Sequence, residues 1–141
     1  MKMNKTLKFA SLSQIEDALS NALSNGLWDG YTPFDSVDYD EGAYAKAKED
    51  LMAKGVKEPD LESIQAHMVM MGGYLRFRDP DERKWCRITL QSWIIALQSY
   101  ADEPLNGTIE DVLKGDPESK LDAFDYSNLI QFATFGEVIY G

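Results

Sequence analysis

The chain is poor in the residue types from which most catalytic and metal sites are built. Cys86 is its only cysteine and His67 is its only histidine. A single cysteine excludes a disulfide framework and a cysteine-based metal site, and it is typical of a reducing, cytoplasmic setting. A single histidine excludes a metal site made of several histidines. We therefore expect no enzymatic activity, no cofactor and no bound metal.

Long apolar runs are also missing. No run approaches the about 18 residues that a membrane span needs, so we expect no membrane partner. Residues 1–9 carry three lysines but lack the apolar region of a signal peptide, and their pattern predicts a lysine-flanked first strand. The acids between Asp35 and Glu41 do not have the spacing of a calcium-binding EF-hand loop.

Acid is what the chain has in excess. Its 24 Asp and Glu residues outnumber its 14 Lys and Arg residues, which makes the formal net charge −10, yet 44% of the residues are hydrophobic. A disordered acidic tail lacks that apolar content, so we expect a folded protein. The length of 141 residues predicts a single globular domain over residues 1–141. Its negative field should repel nucleic acid, so no direct contact with nucleic acid is expected, and attract basic protein surfaces.

The apolar periodicity predicts an α+β fold that is mostly helical and surrounds a small antiparallel hairpin or sheet. Ser13 and Glu16 have the spacing of a capping box at the start of the first long helix. Asp60 and Thr108 are predicted to cap later helices, and Asp125 to cap the last one, in which Gly136 predicts a bend. His67 lies near the apolar stripe of its helix, which indicates a residue at the edge of the core.

Strict alternation on both sides of an Asp-Pro turn predicts the hairpin. One face should bury Leu75, Phe77, Cys86 and Ile88, which makes Cys86 an unreactive thiol. The other face combines arginine with aromatic rings, and its members are Tyr74, Arg76, Arg78, Trp85 and Arg87. Such a face could grip a partner as a second contact surface. Alternatively, its arginines pair with the protein's own acids.

The charge is concentrated in two acidic blocks. Residues 29–62 hold ten acids and four lysines, a net of −6, and residues 102–125 hold eight acids and two lysines, also a net of −6. Carboxylates that converge on one face can imitate a phosphate backbone. The candidate partner-binding acids are Asp35, Asp38, Asp40, Glu41, Glu110, Asp111, Asp116 and Glu118. The exposed aromatics that would anchor the contact are Trp28, Tyr31, Phe34 and Tyr39. Alternatively, these rings pack their loop onto the core.

Size, charge, the single cysteine and the acidic, aromatic-containing loop 28–40 together resemble small acidic proteins of phages and conjugative elements. These include anti-CRISPR proteins that block Cas9-type nucleases and acidic antirestriction proteins. The C-terminal stretch 125–141 is similar to the ends of hypothetical proteins from bacterial mobile elements. The resemblance implies stoichiometric inhibition without chemistry, in the cytoplasm of a bacterial host. The basic channels of a Cas9-type effector, or the arginines that read its PAM, are the targets that it implies.

Two functional hypotheses follow. The first is a non-enzymatic acidic inhibitor that binds a basic, nucleic-acid-handling surface of a host defence nuclease, with a Cas9-type CRISPR effector as the expected target. The second is an accessory or adaptor protein of a phage or conjugative element, which would use the arginine–aromatic hairpin face to join an assembly.

Overall fold

A computed structural model describes residues 3–27, 32–115 and 120–140. Within these ranges the chain forms seven helices and one three-stranded antiparallel sheet, which confirms the predicted α+β, mostly helical class. In chain order the elements are α1 (Lys5–Lys8), α2 (Leu12–Gly26), β1 (Ser36–Asp38), α3 (Glu41–Ala53), α4 (Leu61–Met70), β2 (Leu75–Asp79), β3 (Lys84–Ile88), α5 (Leu90–Asp102), α6 (Ile109–Lys114) and α7 (Ala123–Phe135). None of the described helices is long and apolar enough to span a bilayer.

The buried side chains form one continuous core around three central helices. Helix α7 packs against both α2 and α5, α4 packs on α2, and α3 packs on α4. Trp93 on α5 is fully buried, and its indole Nε1–H donates to the carbonyl of Ile15 at 3.0 Å. This bond ties α5 to the start of α2 in addition to the large apolar area that the ring buries.

Side-chain caps decide where most helices begin. Asp60 and Thr108 cap α4 and α6, as their positions in the sequence predicted. Helix α2 begins earlier than predicted, because Ser11 and Gln14 form its capping box. The prediction that Ser13 and Glu16 form this box was wrong, since the Glu16 carboxylate contacts a histidine on another helix.

The last helix also differs from its prediction at both ends. Asp122 caps α7, whereas Asp125 lies one turn inside and is fully buried. Gly136 adopts a left-handed conformation with φ of 80° and ends the helix rather than bending it. A glycine in this conformation is the common terminator of a helix, because it carries no Cβ.

The predicted first strand is a helix. Asn4 accepts a hydrogen bond from the backbone N–H of Leu7 and starts the single turn α1, in which Leu7 is the one buried residue. A strand that the sequence pattern did not predict, β1, lies instead at residues 36–38. Three residues are too few to show an alternating pattern.

The sheet has the order β1-β2-β3. In the hairpin, Leu75 pairs with Ile88 and Phe77 pairs with Cys86, and all four side chains are buried, as predicted. Burial raises the pKa of the Cys86 thiol, so little of it is present as the reactive thiolate. The opposite face of the same strands remains open to solvent.

Candidate functional site

Strand β1 brings two acids of the first block, Asp35 and Asp38, onto the hairpin. Asp38 lies opposite Arg76 in the ladder, and the carboxylate Oδ2 of Asp38 accepts a charge-assisted bond from the guanidinium of Arg76. This bond lowers the pKa of Asp38. Two residues farther along β2, on the same face, the Nε of Arg78 lies 3.8 Å from Oδ1 of Asp35. Two of the predicted partner-binding acids therefore neutralise two arginines of the hairpin.

The arginine–aromatic face is itself internally packed. The guanidinium of Arg76 lies 4.7 Å from the centre of the Trp85 ring, and that of Arg87 lies 4.6 Å from the centre of the Tyr74 ring. Both rings keep solvent access, with 46% of Trp85 and 38% of Tyr74 exposed. Aromatic rings held in this way by cations remain available to a partner on their free sides.

Two further acids of the first block cap the N-termini of neighbouring helices, α3 and α4. Asp40 caps α3 and Asp60 caps α4 through bonds to backbone N–H groups, each of 2.8 Å. Glu41 and Glu62 lie in the first turns of the same two helices. We call these four residues, Asp40, Glu41, Asp60 and Glu62, the acidic edge.

The contacts of α3 and α4 show why these helix starts meet. Tyr44 in the first part of α3 interacts electrostatically with Asp60 and Glu62, while Asp50 farther along α3 bonds to His67 farther along α4. The two helices therefore run in the same direction, with their first turns side by side. Sequence analysis missed Asp60 and Glu62 as site residues, because it placed the cap correctly but could not show how the helices pack.

Two stacked tyrosines lie beside the acidic edge. The rings of Tyr39 and Tyr44 are 5.2 Å apart and inclined by 24°, and both residues are partly buried. Burial, followed by the effects of Tyr39 and of the two α4 carboxylates, raises the pKa of Tyr44. The edge thus combines several negative oxygens with an amphipathic aromatic pair.

The end of α6 lies across α2 from the start of α4, and the charged residue that it brings there is Lys114. Asp60 and Asp17 line a polar cleft of about 360 Å³ together with Leu113, Lys114 and Gly115 at the end of α6. At the other end of α6, Glu110 accepts a 2.8 Å bond from the hydroxyl of Thr6, and Asp111 completes the cap of the helix. Among the predicted aromatic anchors, Phe34 is buried in the core against Phe77 and Phe135, so the expectation that it is exposed was wrong. Four other predicted residues lie outside the described residues, and these are Trp28, Tyr31, Asp116 and Glu118.

The sole histidine is fully engaged. Its Nδ1 lies 2.8 Å from Oε1 of Glu16 and its Nε2 lies 2.6 Å from Oδ2 of Asp50. With both ring nitrogens bonded to carboxylates, His67 has no free atom with which to act as a general base toward a substrate. Over the described part of the chain, no group of three or more potential ligands is arranged to hold a metal ion.

The chain matches no protein-family model, no curated protein and no solved structure.

Proposed function

We propose that the protein is a non-enzymatic acidic inhibitor, which binds a basic, nucleic-acid-handling surface of a host defence nuclease. A Cas9-type CRISPR effector is the target that we propose. The observation that carries the proposal is the acidic edge, which consists of carboxylates at the first turns of two helices that run in the same direction, with a stacked tyrosine pair beside them. Asp35 and Asp38 have a smaller part in it than their sequence suggested, because hairpin arginines offset their charge.

The acidic edge has two physical properties that suit this task. Its carboxylates offer oxygens to lysine and arginine as phosphates do, and Glu41 is exposed. Asp40 and Asp60 are already held by backbone N–H groups, so ordering them on binding costs little additional entropy. The net charge of −10 would speed the encounter with a basic groove, and this acceleration weakens as salt is added.

Charge reversal tests the acidic edge directly. We expect the double substitution Glu41→Lys and Glu62→Lys to slow association with guide-loaded Cas9 by about tenfold at low salt, because the steering field is reversed at the contact. Surface plasmon resonance on the immobilised nuclease measures this rate. Lysine in a first turn also opposes the helix dipole, so the thermal midpoint of each variant has to be measured in parallel.

A matched pair of glutamates provides the control. Glu103 and Glu137 are exposed and lie on one shallow groove at the end of α5, away from the acidic edge. Glu103→Lys with Glu137→Lys changes the net charge by the same amount. Equal slowing by both double variants would show that only the net charge matters and that the acidic edge has no special part in binding. Absence of binding by the unaltered protein would refute the nuclease as the target.

A second candidate function rests on the hairpin. The exposed side of Trp85, with Arg87 two residues along the same strand, suits an accessory protein that joins an assembly through this face. We expect Trp85→Ala with Arg87→Ala to abolish capture of an assembly partner from extracts of the source cell while leaving binding to guide-loaded Cas9 unchanged. Ile95→Ala is the control, since Ile95 is similarly exposed on α5. Loss of nuclease binding in the hairpin variant would instead make this face part of the inhibitor surface.

A further inference from the structure

The only histidine of the chain joins three helices. His67 belongs to α4, Glu16 to α2 and Asp50 to α3, and the imidazole lies between the two carboxylates with 7% of the residue exposed. Both nitrogen–oxygen distances, 2.8 Å and 2.6 Å, are hydrogen-bond distances. The ring therefore bonds α4 to α2 through Glu16 and to α3 through Asp50.

The geometry specifies the protonation state of this ring. A neutral imidazole has one N–H donor and one nitrogen lone pair, whereas an ionised carboxylate can only accept. Two carboxylate contacts are satisfied together only when both ring nitrogens carry a proton. In the neutral state, one nitrogen lone pair would face a carboxylate lone pair, and that contact would be repulsive.

The charged groups around the ring come from two helices. Glu16 faces it from α2, Asp50 faces it from α3, and Lys54 of α3 lies 3.0 Å from the same oxygen of Asp50. The rest of the groove of about 560 Å³ above the ring is lined by uncharged residues, which are Leu12, Ser13, Leu51, Val56, Met70, Met71 and Leu90. Burial by itself would lower the pKa of His67, but the hydrogen bonds to Glu16 and Asp50 outweigh it, and the pKa is raised.

Helix α3 depends on this link more than its length suggests. Of its 13 residues, Ala47 and Leu51 are the buried ones. By contrast, α7 has the same length and buries eight residues along its sides. Ala43 and Tyr44 add partly buried contact with the core. A helix with so small a fully buried face has a low free energy of local opening, so the ionic bond to His67 contributes to holding it in place.

We propose that His67 is a pH-sensitive clamp, whose protonated ring holds α3 against α2 and α4 and whose deprotonation loosens α3. The folded pKa is raised above that of the unfolded chain, so the stabilisation is complete below a pH of about 6.5. It is lost as the pH rises through the folded pKa. Since Asp40 caps α3 and Glu41 is its first residue, loosening of α3 would also disturb the acidic edge. Only the effect of this disturbance on partner binding rests on the proposed function.

Proton NMR gives the first test. The chain has one histidine, so one imidazole C2–H resonance reports the ring without assignment. We expect its titration midpoint to lie above the unperturbed value of about 6.5. A midpoint at or below that value would overturn the proposal, and this measurement needs no variant.

Hydrogen exchange gives the second test. After correction for the intrinsic rate, we expect the protection of α3 amides to fall between pH 6 and pH 9, about tenfold for each unit by which the folded pKa exceeds the unfolded one. Amides of α5 and α7 should keep their protection. Constant protection of α3 across this range, or an equal fall in all three helices, would contradict a local clamp.

Two variants separate the clamp from its surroundings. His67→Gln has no titrating ring, so α3 should be poorly protected at both pH values. Lys54→Met removes the other cation on Asp50 without touching the ring, so the pH dependence should persist. A pH dependence that disappears with Lys54→Met and survives His67→Gln would assign the effect to lysine and overturn the proposal. Neither outcome depends on binding to a nuclease.

Discussion

Replacement of Asp125 by alanine is expected to destabilise the protein by about 3–5 kcal/mol, because several buried donors then lose their acceptor and each costs about 1–3 kcal/mol. The Asp125 carboxylate is fully buried at the third position of α7. It accepts from the Tyr100 hydroxyl at 2.6 Å and from the backbone N–H and side-chain amide of Asn106 at 2.9 and 3.1 Å. It also accepts from the backbone N–H of Asp122 at 2.9 Å. One side chain thus connects α5, the 105–108 turn and α7.

The same network makes Asp125 sensitive to acid. Burial would raise the pKa of its carboxyl, but the bonds from Tyr100, Asp122 and Asn106 lower it from the ordinary 3.8 to about 2. Because the folded pKa is the lower one, ionised Asp125 contributes full stability well above pH 3.8. That contribution is lost as the pH falls toward 2. We expect the free energy of unfolding to fall more steeply between pH 5 and pH 2 in the wild type than in Asp125→Asn.

Asp122→Ala is the matched control for the alanine variant. Asp122 is exposed at the same helix end and caps the backbone N–H groups of Phe124 and Asp125. Loss of an N-cap costs about 1 kcal/mol. Urea unfolding of both variants measures the difference. A loss of similar size in the two proteins would show that the role of Asp125 is confined to capping, against our expectation.

The second large effect is expected from Gly26→Ala, with a cost of about 3 kcal/mol from overpacking. Gly26 is buried at the end of α2, where the helix touches the backbone of α7. A Cβ at this position would lie 2.4 Å from the carbonyl carbon of Tyr126 and 2.6 Å from the backbone nitrogen of Ser127. Backbone atoms inside a helix cannot move aside as a flexible side chain can, so the two central helices would have to separate.

Gly42→Ala separates this clash from the general effect of replacing glycine in a helix. Gly42 is exposed in the first turn of α3, and the nearest atom to its added Cβ is a side-chain oxygen of Asp40 at 3.3 Å. Alanine gains up to about 1 kcal/mol of helix propensity, so the net change should be within about 1 kcal/mol of zero. Thermal unfolding compares the two variants, and equal midpoints would refute a close contact between α2 and α7.

Sequence patterns were sufficient where the structure is local. The hairpin faces were predicted because alternation places Leu75 and Phe77 on one side of a strand whatever the strand packs against. The caps Asp60 and Thr108 were predicted for a similar reason, since a cap bonds within three residues of itself. The cap of α2 was predicted wrongly because Ser11 and Ser13 both precede a residue three positions later that can complete a capping box, Gln14 and Glu16 respectively.

The acidic candidate site was predicted only in part. Asp40 and Glu41 belong to the edge as the geometry now defines it, but Asp35 and Asp38 are engaged by Arg78 and Arg76. No pattern within residues 35–41 distinguishes these two pairs of acids. The two pairs differ because strand β1 places Asp35 and Asp38 beside the hairpin arginines. The position of β1 is set by its partner strand, about 40 residues later in the chain.

By itself the sequence determined the charge, the shortage of catalytic residue types, the α+β class and the two faces of the hairpin. These properties depend on composition or on periodicities of a few residues. Tertiary structure alone decided that α3 and α4 run in the same direction, that the acidic edge exists and that His67 lies between Glu16 and Asp50. Each of these depends on interactions between residues 16 to 51 positions apart, which chain folding creates and no local pattern encodes.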